Sequence, residues 1–381
     1  MVKSASFLLG LAALCAAPAA ADDKPDADLG ANAALKYWQA FSTLPKLDEG
    51  FSSQDARTAP LDDKTKELVA GAAYSLQEMH YAAALPRCVW GASLEEDGIR
   101  TRLPYLQGAR NLAALAVLRM RIRFANGQTT DALNDAVDAL TMGRHASRDG
   151  TLIAVLVGIA VDQLVTDALA EHLPELDKAT LKQLSARLDA MPPAQSWADA
   201  MWTGEEHAGL DWFIRQVKQT KDKDQLLKLL AEVADGPDKG KELLDACGGT
   251  AEGVLKYAEE TRPLYAAVVK KKDLPPDKFE AETEAMLQKE AKSNPIFKLF
   301  FPSVSKVHRA DARYQARQAL RKAAFAILID GPDAVKAQRD PYGDGPFEYV
   351  PFDGGFELRS QLKQQDKPIS LTVGRRKDKE K

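Results

Sequence analysis

Gly108-Ala109-Arg110-Asn111-Leu112-Ala113-Ala114-Leu115-Ala116-Val117-Leu118-Arg119-Met120 opens a run, residues 108 to 173, that reads as three consecutive helices with almost no polar interior. From Arg102 the apolar positions Leu103, Leu106, Ala109, Leu112 or Ala113, Ala116 and Met120 recur every three or four residues, the spacing of one buried helical stripe. Arg110, Arg119, Arg121 and Arg123 occupy the opposite face. Asn126-Gly127 is a helix stop, because both residues tolerate the left-handed conformation. Thr130 or Asp131 then caps a helix that turns Leu133, Val137 and Leu140 inward, which predicts a tight antiparallel pair. The third helix, Leu152 to Leu173, is apolar nearly all round for three turns and should be the most enclosed element. Asp162, Gln163 and Asp167 interrupt it and argue against a membrane span.

Helical periodicity extends outward from this block. Ala31 to Phe41 presents Leu35, Trp38 and Phe41, and a second helix from about Thr65 to Ala84 is closed by Pro86. Leu181, Leu184, Leu188 and Met191 mark another amphipathic helix, and Trp197 to Lys218 a further one. Residues 218–292 are charge-rich and broken by Gly236-Pro237, Gly248-Gly249 and Pro275-Pro276, so they read as an insertion of short surface helices rather than core. The aromatic cluster Ile296 to Phe301 reads as core packing, and a long helix from Ser305 to Ile329 stops at Gly331-Pro332. The period then changes to two. Phe347, Tyr349, Phe356 and Leu358 alternate around Asp353-Gly354-Gly355, a β-hairpin signal, and Ile369 to Val373 can add a third strand.

The fold expected is therefore mainly α: stacked antiparallel helices with a small C-terminal β-hairpin or three-stranded meander, more than half helix in all. The divisions expected are a signal peptide over 1–21, a helical domain over 22–302, the long helix with its meander over 303–374, and a disordered charged tail over 375–381. Lys3, the apolar run Phe7 to Leu14 and Ala19-Ala20-Ala21 before Asp22 carry the signal-peptide reading. Leu14 ahead of Cys15 disfavours a lipoprotein site. A periplasmic or secreted chain of about 360 residues follows, with no integral membrane segment after cleavage. A net charge of −4 provides no global attraction for nucleic acid. Cys88 and Cys247 would remain, either as one long-range disulfide or as two buried thiols.

No His-Glu-x-x-His or Gly-x-Ser-x-Gly motif occurs, and no cofactor or metal is expected. Two constellations could still carry chemistry. Glu205, Glu206, His207 and Asp211 form the densest run of potential ligands, although neighbours on a helix diverge by about 100° and cannot share one metal in the usual way. The plainer reading is a polar helix face with one paired glutamate. Arg144, His145 and Arg148 lie at the turn into the helix that holds Asp162, either an anion or substrate pocket or a structural ion pair. A buried carboxylate needs a partner, so an arginine from a neighbouring helix is expected to meet Asp162.

Three resemblances add to this. Phe124-Ala125-Asn126-Gly127 through Asp131-Ala132-Leu133 to Asp138-Ala139-Leu140 resembles the second half of a tetratricopeptide unit, which implies helix-pair stacking, without the spacing of a repeat array. Asp340-Pro341-Tyr342-Gly343, Phe347-Glu348-Tyr349 and Gly354 to Ser360 are similar to the C-terminal end of type II secretion major pseudopilins; Gln361-Leu362-Lys363-Gln364 replaces their calcium-supporting loop, so no calcium ligand carries over. The block from about Leu103 to Ser360 looks like a group of secreted planctomycete proteins, which implies architecture and compartment but brings no activity. The function expected is an extracytoplasmic interaction or scaffold protein that holds a protein or peptide partner. The alternative is a hydrolase or small-ligand binder using Glu206 with His207, or Asp162 with Arg144 or Arg148.

Overall fold

A computed structural model describes residues 31–47, 53–301 and 303–376. The signal-peptide segment and the end of the charged tail lie outside the described residues. About 70% of the structure is helix, against a usual ~30–35%, and a three-stranded antiparallel sheet closes the chain. The N-terminal helices are α1 (Ala33–Ser42), α2 (Ser53–Thr58), α3 (Asp63–Gly71), α4 (Ala73–Ala83) and α5 (Leu94–Asp97). The central ones are α6 (Tyr105–Ala125), α7 (Thr129–Ala146), α8 (Leu152–Ala170) and α9 (Lys178–Asp189). A composite rod follows: α10 (Trp197–Ala200), a π-helix over Met201–Asp211, and α11 (Trp212–Gln219). Then come α12 (Lys223–Val233), α13 (Pro237–Ala246), α14 (Ala251–Val269), α15 (Pro276–Ser293), α16 (Phe297–Phe300) and α17 (Val304–Asp330). The strands are β1 (Glu348–Phe352), β2 (Gly355–Gln364) and β3 (Lys367–Val373).

The α6/α7 pair forms as its periodicity predicts. Gly127 sits at φ 73°, and Gln128 donates its N–H back to the Arg123 carbonyl at 2.8 Å. Arg119 and Arg123 both reach Asp135, at 2.5 and 2.7 Å, which fixes the antiparallel register. Helix α7 starts at Thr129, with Gln128 at the cap position and no capping side chain, instead of being capped by Thr130 or Asp131. The most enclosed stretch is Leu112 to Leu118 of α6, seven consecutive buried residues, and not the start of α8, where Ile153 is 55% exposed. By length and composition α8 could cross a membrane, yet twelve of its residues, Asp162 included, are buried among the other helices. Its crossing with α7 is close: a Cβ on Gly158 would lie 2.9 Å from the Ser147 Cβ and 3.0 Å from the Gly143 carbonyl oxygen.

Two hydrophobic cores share two helices. The first gathers α1, α4, α6, α7, most of α8, α9, the C-terminal half of α17 and the sheet. The second gathers Leu152 and Val155 of α8, the composite rod, α12 to α16, and Val304 and Val307 of α17. The segment 218–292 is thus not a set of surface helices. Leu226, Leu230, Leu244, Val254, Tyr265, Val268 and Phe279 are buried in the second core, because each charged helix keeps one apolar stripe and the helices cover one another's stripes. Helix α1 also buries a different face: Ala33, Ala34, Tyr37 and Ala40 point inward, whereas Leu35 is 43% exposed. Cys88, half-buried against the first core, and Cys247, buried in the second, are both free thiols, so the two are not bridged, although only Cys247 is a buried thiol.

The sheet runs in the order β1-β2-β3, with Tyr349 opposite Leu358 and Leu358 opposite Leu371. Phe347, Phe356, Leu358, Ile369, Leu371 and Val373 are buried in the first core. Asp340, 3% exposed, pins the entry turn to β2 by accepting hydrogen bonds from Ser360 Oγ at 2.8 Å and the Gln361 N–H at 2.5 Å. Arg317 of α17 donates to the Ser370 carbonyl at 3.0 Å, and the Gly374 N–H to the Ala170 carbonyl at 2.9 Å. The tail begins docked rather than solvated: Arg375 pairs with Glu171 at 3.3 Å and donates to His172 Nε2 at 2.9 Å, and Arg376 pairs with Glu357.

The sheet buries its apolar face in the first core against α17, so each removes the other's apolar surface from water. Truncation after Ala337 is expected to lower the thermal midpoint by roughly 10 °C or more, given about 25 cal/mol per Å² of apolar surface uncovered. Arg375→Ala, which removes one exposed ion pair, should cost a few degrees at most. Differential scanning calorimetry checks both, and an unaltered midpoint in the truncated chain would make the sheet an independent appendage.

Candidate functional site

The first constellation lies on the π-helix. Gly204 presses against the turn before α8, where a Cβ would come within 2.6 Å of the Gly150 carbonyl oxygen, and Thr203 Oγ1 donates to that oxygen at 2.8 Å. In a helix bonded i to i+5, residues five apart stack on one face. Glu206 and Asp211 therefore face the same guanidinium, Arg262 of α14, whose Nη1 lies 3.2 Å from Glu206 Oε1 and whose Nη2 lies 2.5 Å from Asp211 Oδ1. Arg262 Nε donates to Glu259 at 3.0 Å. Burial raises the Glu206 carboxyl above its ordinary range, and Arg262 opposes the shift. Burial also raises Glu205, against a backbone hydrogen bond from Leu152 at the start of α8.

His207 turns away from this network. Its Nδ1 is 3.9 Å from Asp211 Oδ2, too far for a hydrogen bond, and its ring lies 4.7 Å from that of Trp202. Glu206 and His207 therefore do not form an acid–base pair. Among the described residues no three His, Cys, Asp or Glu side chains are grouped closely enough to hold a metal ion.

The second constellation separates in the same way. Asp162 accepts hydrogen bonds from Gln318 Nε2 at 2.7 Å and Thr166 Oγ1 at 3.3 Å, and its other oxygen lies 3.6 Å from Arg321 Nη1. Arg321 also donates to Gln318 Oε1 at 2.5 Å and Thr166 Oγ1 at 3.2 Å. The neighbouring-helix arginine is thus Arg321 of α17, not Arg144 or Arg148. Arg144 donates to the Pro192 carbonyl at 2.7 Å, and Arg148 is exposed. Arg144 and Asp162 do line one cavity, with Ser147, Gln195, Asp311 and Tyr314, but its volume is about 20 Å³. That is room for about one water molecule. Glu206 does not line it.

His145 is fully buried in an aromatic cluster, 3.0 Å from the Tyr37 hydroxyl through Nδ1, and its carbonyl accepts from Trp90 Nε1 at 2.8 Å. Burial, then the charge of Arg148, pushes its pKa down to about 4, so it is neutral near pH 7 and holds no anion. Arg144, His145 and Arg148 consequently point to three different environments.

What the sequence reading missed is a cleft beside the π-helix. Ala92, Leu94, Glu95, Glu96, Trp202, Thr203, His207 and Ala208 enclose about 390 Å³ between α5 and the π-helix. Trp202 is 52% exposed, whereas Trp90, Trp197 and Trp212 are buried. Its signal was only a tryptophan beside a histidine-containing acidic run, with nothing local to show which way a widened helix would turn it. No protein-family model, curated protein or solved structure matches this chain.

Two measurements test these assignments. Arg321→Met strands a buried carboxylate and should cost roughly 3–5 kcal/mol, and adding Asp162→Leu should restore most of that loss. Urea denaturation reads both; a single variant as stable as the parent would show that Asp162 does not depend on Arg321. Secondly, His145 is held neutral when folded but takes up a proton below about pH 6.5 when unfolded, so its stabilising contribution is present above pH 6.5 and lost as pH falls towards 4. The loss amounts to roughly 3 kcal/mol. His145→Gln should flatten that part of the stability–pH curve, and an unchanged slope would refute the assignment.

Proposed function

We propose that this chain is an extracytoplasmic interaction or scaffold protein that holds a protein or peptide partner in the cleft between α5 and the π-helix. The observation that carries the reading is Trp202, a half-exposed indole in a 390 Å³ cleft on a chain whose other buried tryptophans complete the cores. Large aromatic residues that stay exposed in a concave site are the usual anchors of recognition. The extracytoplasmic part rests on the signal-peptide pattern of residues 1–21. The hydrolase or small-ligand alternative gains nothing from the geometry, since Glu206 and Asp162 are each matched to an arginine and share no pocket.

Site-specific photocrosslinking tests the reading. A benzophenone side chain at position 92, in the cleft wall with Trp202 kept, should give a discrete adduct in the native extracytoplasmic fraction, and the same group at the exposed Tyr74 should not. No adduct at 92, or identical adducts at both positions, would overturn it.

A further inference from the structure

The walls of the Trp202 cleft carry negative charge and no positive charge. Glu95 and Glu96 line it and are exposed, and no lysine or arginine does. Neither carboxylate has an ion-pair partner among the described residues, whereas the carboxylates on the far side of the π-helix and α11 that meet an arginine are matched: Glu206, Asp211 and Glu259 to Arg262, and Glu232 to Arg100. The arginines of the adjoining elements are committed elsewhere. Arg100 binds Glu232 and lies over the buried Trp212 ring, and Arg215 donates to the Glu95 carbonyl rather than its carboxylate. The indole supplies the second half of a cation site, because an ammonium or guanidinium is attracted to the electron-rich ring face. His207 packs on Trp202 at 4.7 Å and holds the ring in the cleft wall.

We infer that the cleft takes a lysine or arginine side chain of an extended partner segment, with the cation against Trp202 and its charge matched by Glu95 and Glu96. This rests on the partner-binding reading above and adds the chemistry of the partner. The volume of about 390 Å³ suits one long side chain and adjoining backbone, within the ~300–1,000 Å³ of ordinary ligand clefts. The chain's net charge of −4 favours approach of a basic segment over an acidic one. An acidic segment would add its charge to two unmatched carboxylates, and a purely apolar one would leave them to be desolvated without compensation.

Fluorescence titration of the mature protein tests the inference, because Trp202 is the exposed reporter and Trp202→Phe supplies the blank. The probes are capped pentapeptides with central lysine, glutamine or glutamate between glycines. Saturable change with the lysine peptide alone is expected, weakened roughly tenfold in the Glu95→Gln, Glu96→Gln double variant. Raising salt from about 0.05 to 0.5 M should weaken it comparably, since the screening length falls well below 10 Å. Equal response to the glutamine or glutamate peptide, or undiminished binding in the double variant, would overturn the charge assignment. If position 92 still crosslinks in that case, the partner reading stands and only the chemistry of the partner is wrong; if crosslinking also fails, both fall.

Discussion

A carboxylate in the middle of an apolar helix must find a cation or give up its charge, and three on one helix dictate what packs against it. Asp162 and Asp167 lie along α8 and Glu171 caps its C-terminus, at steps of five and four residues. Asp162 meets Arg321 and Gln318 of α17, Asp167 meets Arg57 of α2 and Arg317 of α17, and Glu171 meets Arg57 and Arg375 of the tail. Segments more than a hundred residues away in sequence, on both sides, are thereby fixed to one element. Buried ion pairs of this kind contribute little net stability, since desolvation cancels much of the attraction, but a mismatched register would leave a charge unpaired. The apolar surface drives collapse, and the carboxylate row ties α2, α17 and the start of the tail to one helix.

The same helix explains why two cores behave as one body. Helix α8 begins in the second core with Leu152 and Val155 and continues into the first, and α17 does likewise from Val304 to Ile327. Gly143 and Gly158 let α7 approach α8 so closely that only the 20 Å³ cavity remains beside Asp162. Close packing at that crossing leaves beside Asp162 and Arg144 room for about one water molecule.

The helix pair and the third strand were legible in the sequence because each is a local pattern: a 3.6 period ended by Asn126-Gly127, and an alternation around Gly354. Failures came where the deciding contact is distant or the side chain small. Helix α1 buries alanines and Tyr37 while exposing Leu35, a choice made by the close approach of α4 and α6. Residues 218–292 looked like surface since charge is easy to count and a lone stripe is not. The turn into β3 uses Gln365 and Asp366 at φ 50° and 64°, conformations that neither residue announces. For the candidate sites, the need for an arginine at Asp162 could be read, but its identity lay 159 positions on in α17.

The π-helix was invisible for a different reason. Reading Trp197 to Lys218 with a period of 3.6 places adjacent side chains about 100° apart, whereas the wider turn of Met201–Asp211 stacks residues five apart. That one change of pitch sets Glu206 and Asp211 together on Arg262, and it sets Trp202 and His207, also five apart, together in the cleft wall. Such widening costs helix energy and persists only where surrounding contacts fix it. Here Gly204 and Thr203 seat the wide turn on the Gly150 carbonyl, and Arg262 ties its far end. The wide turn that sets Glu206 on Arg262 is therefore also the one that carries Trp202 into the cleft, so the paired glutamate and the half-exposed indole have a single structural cause.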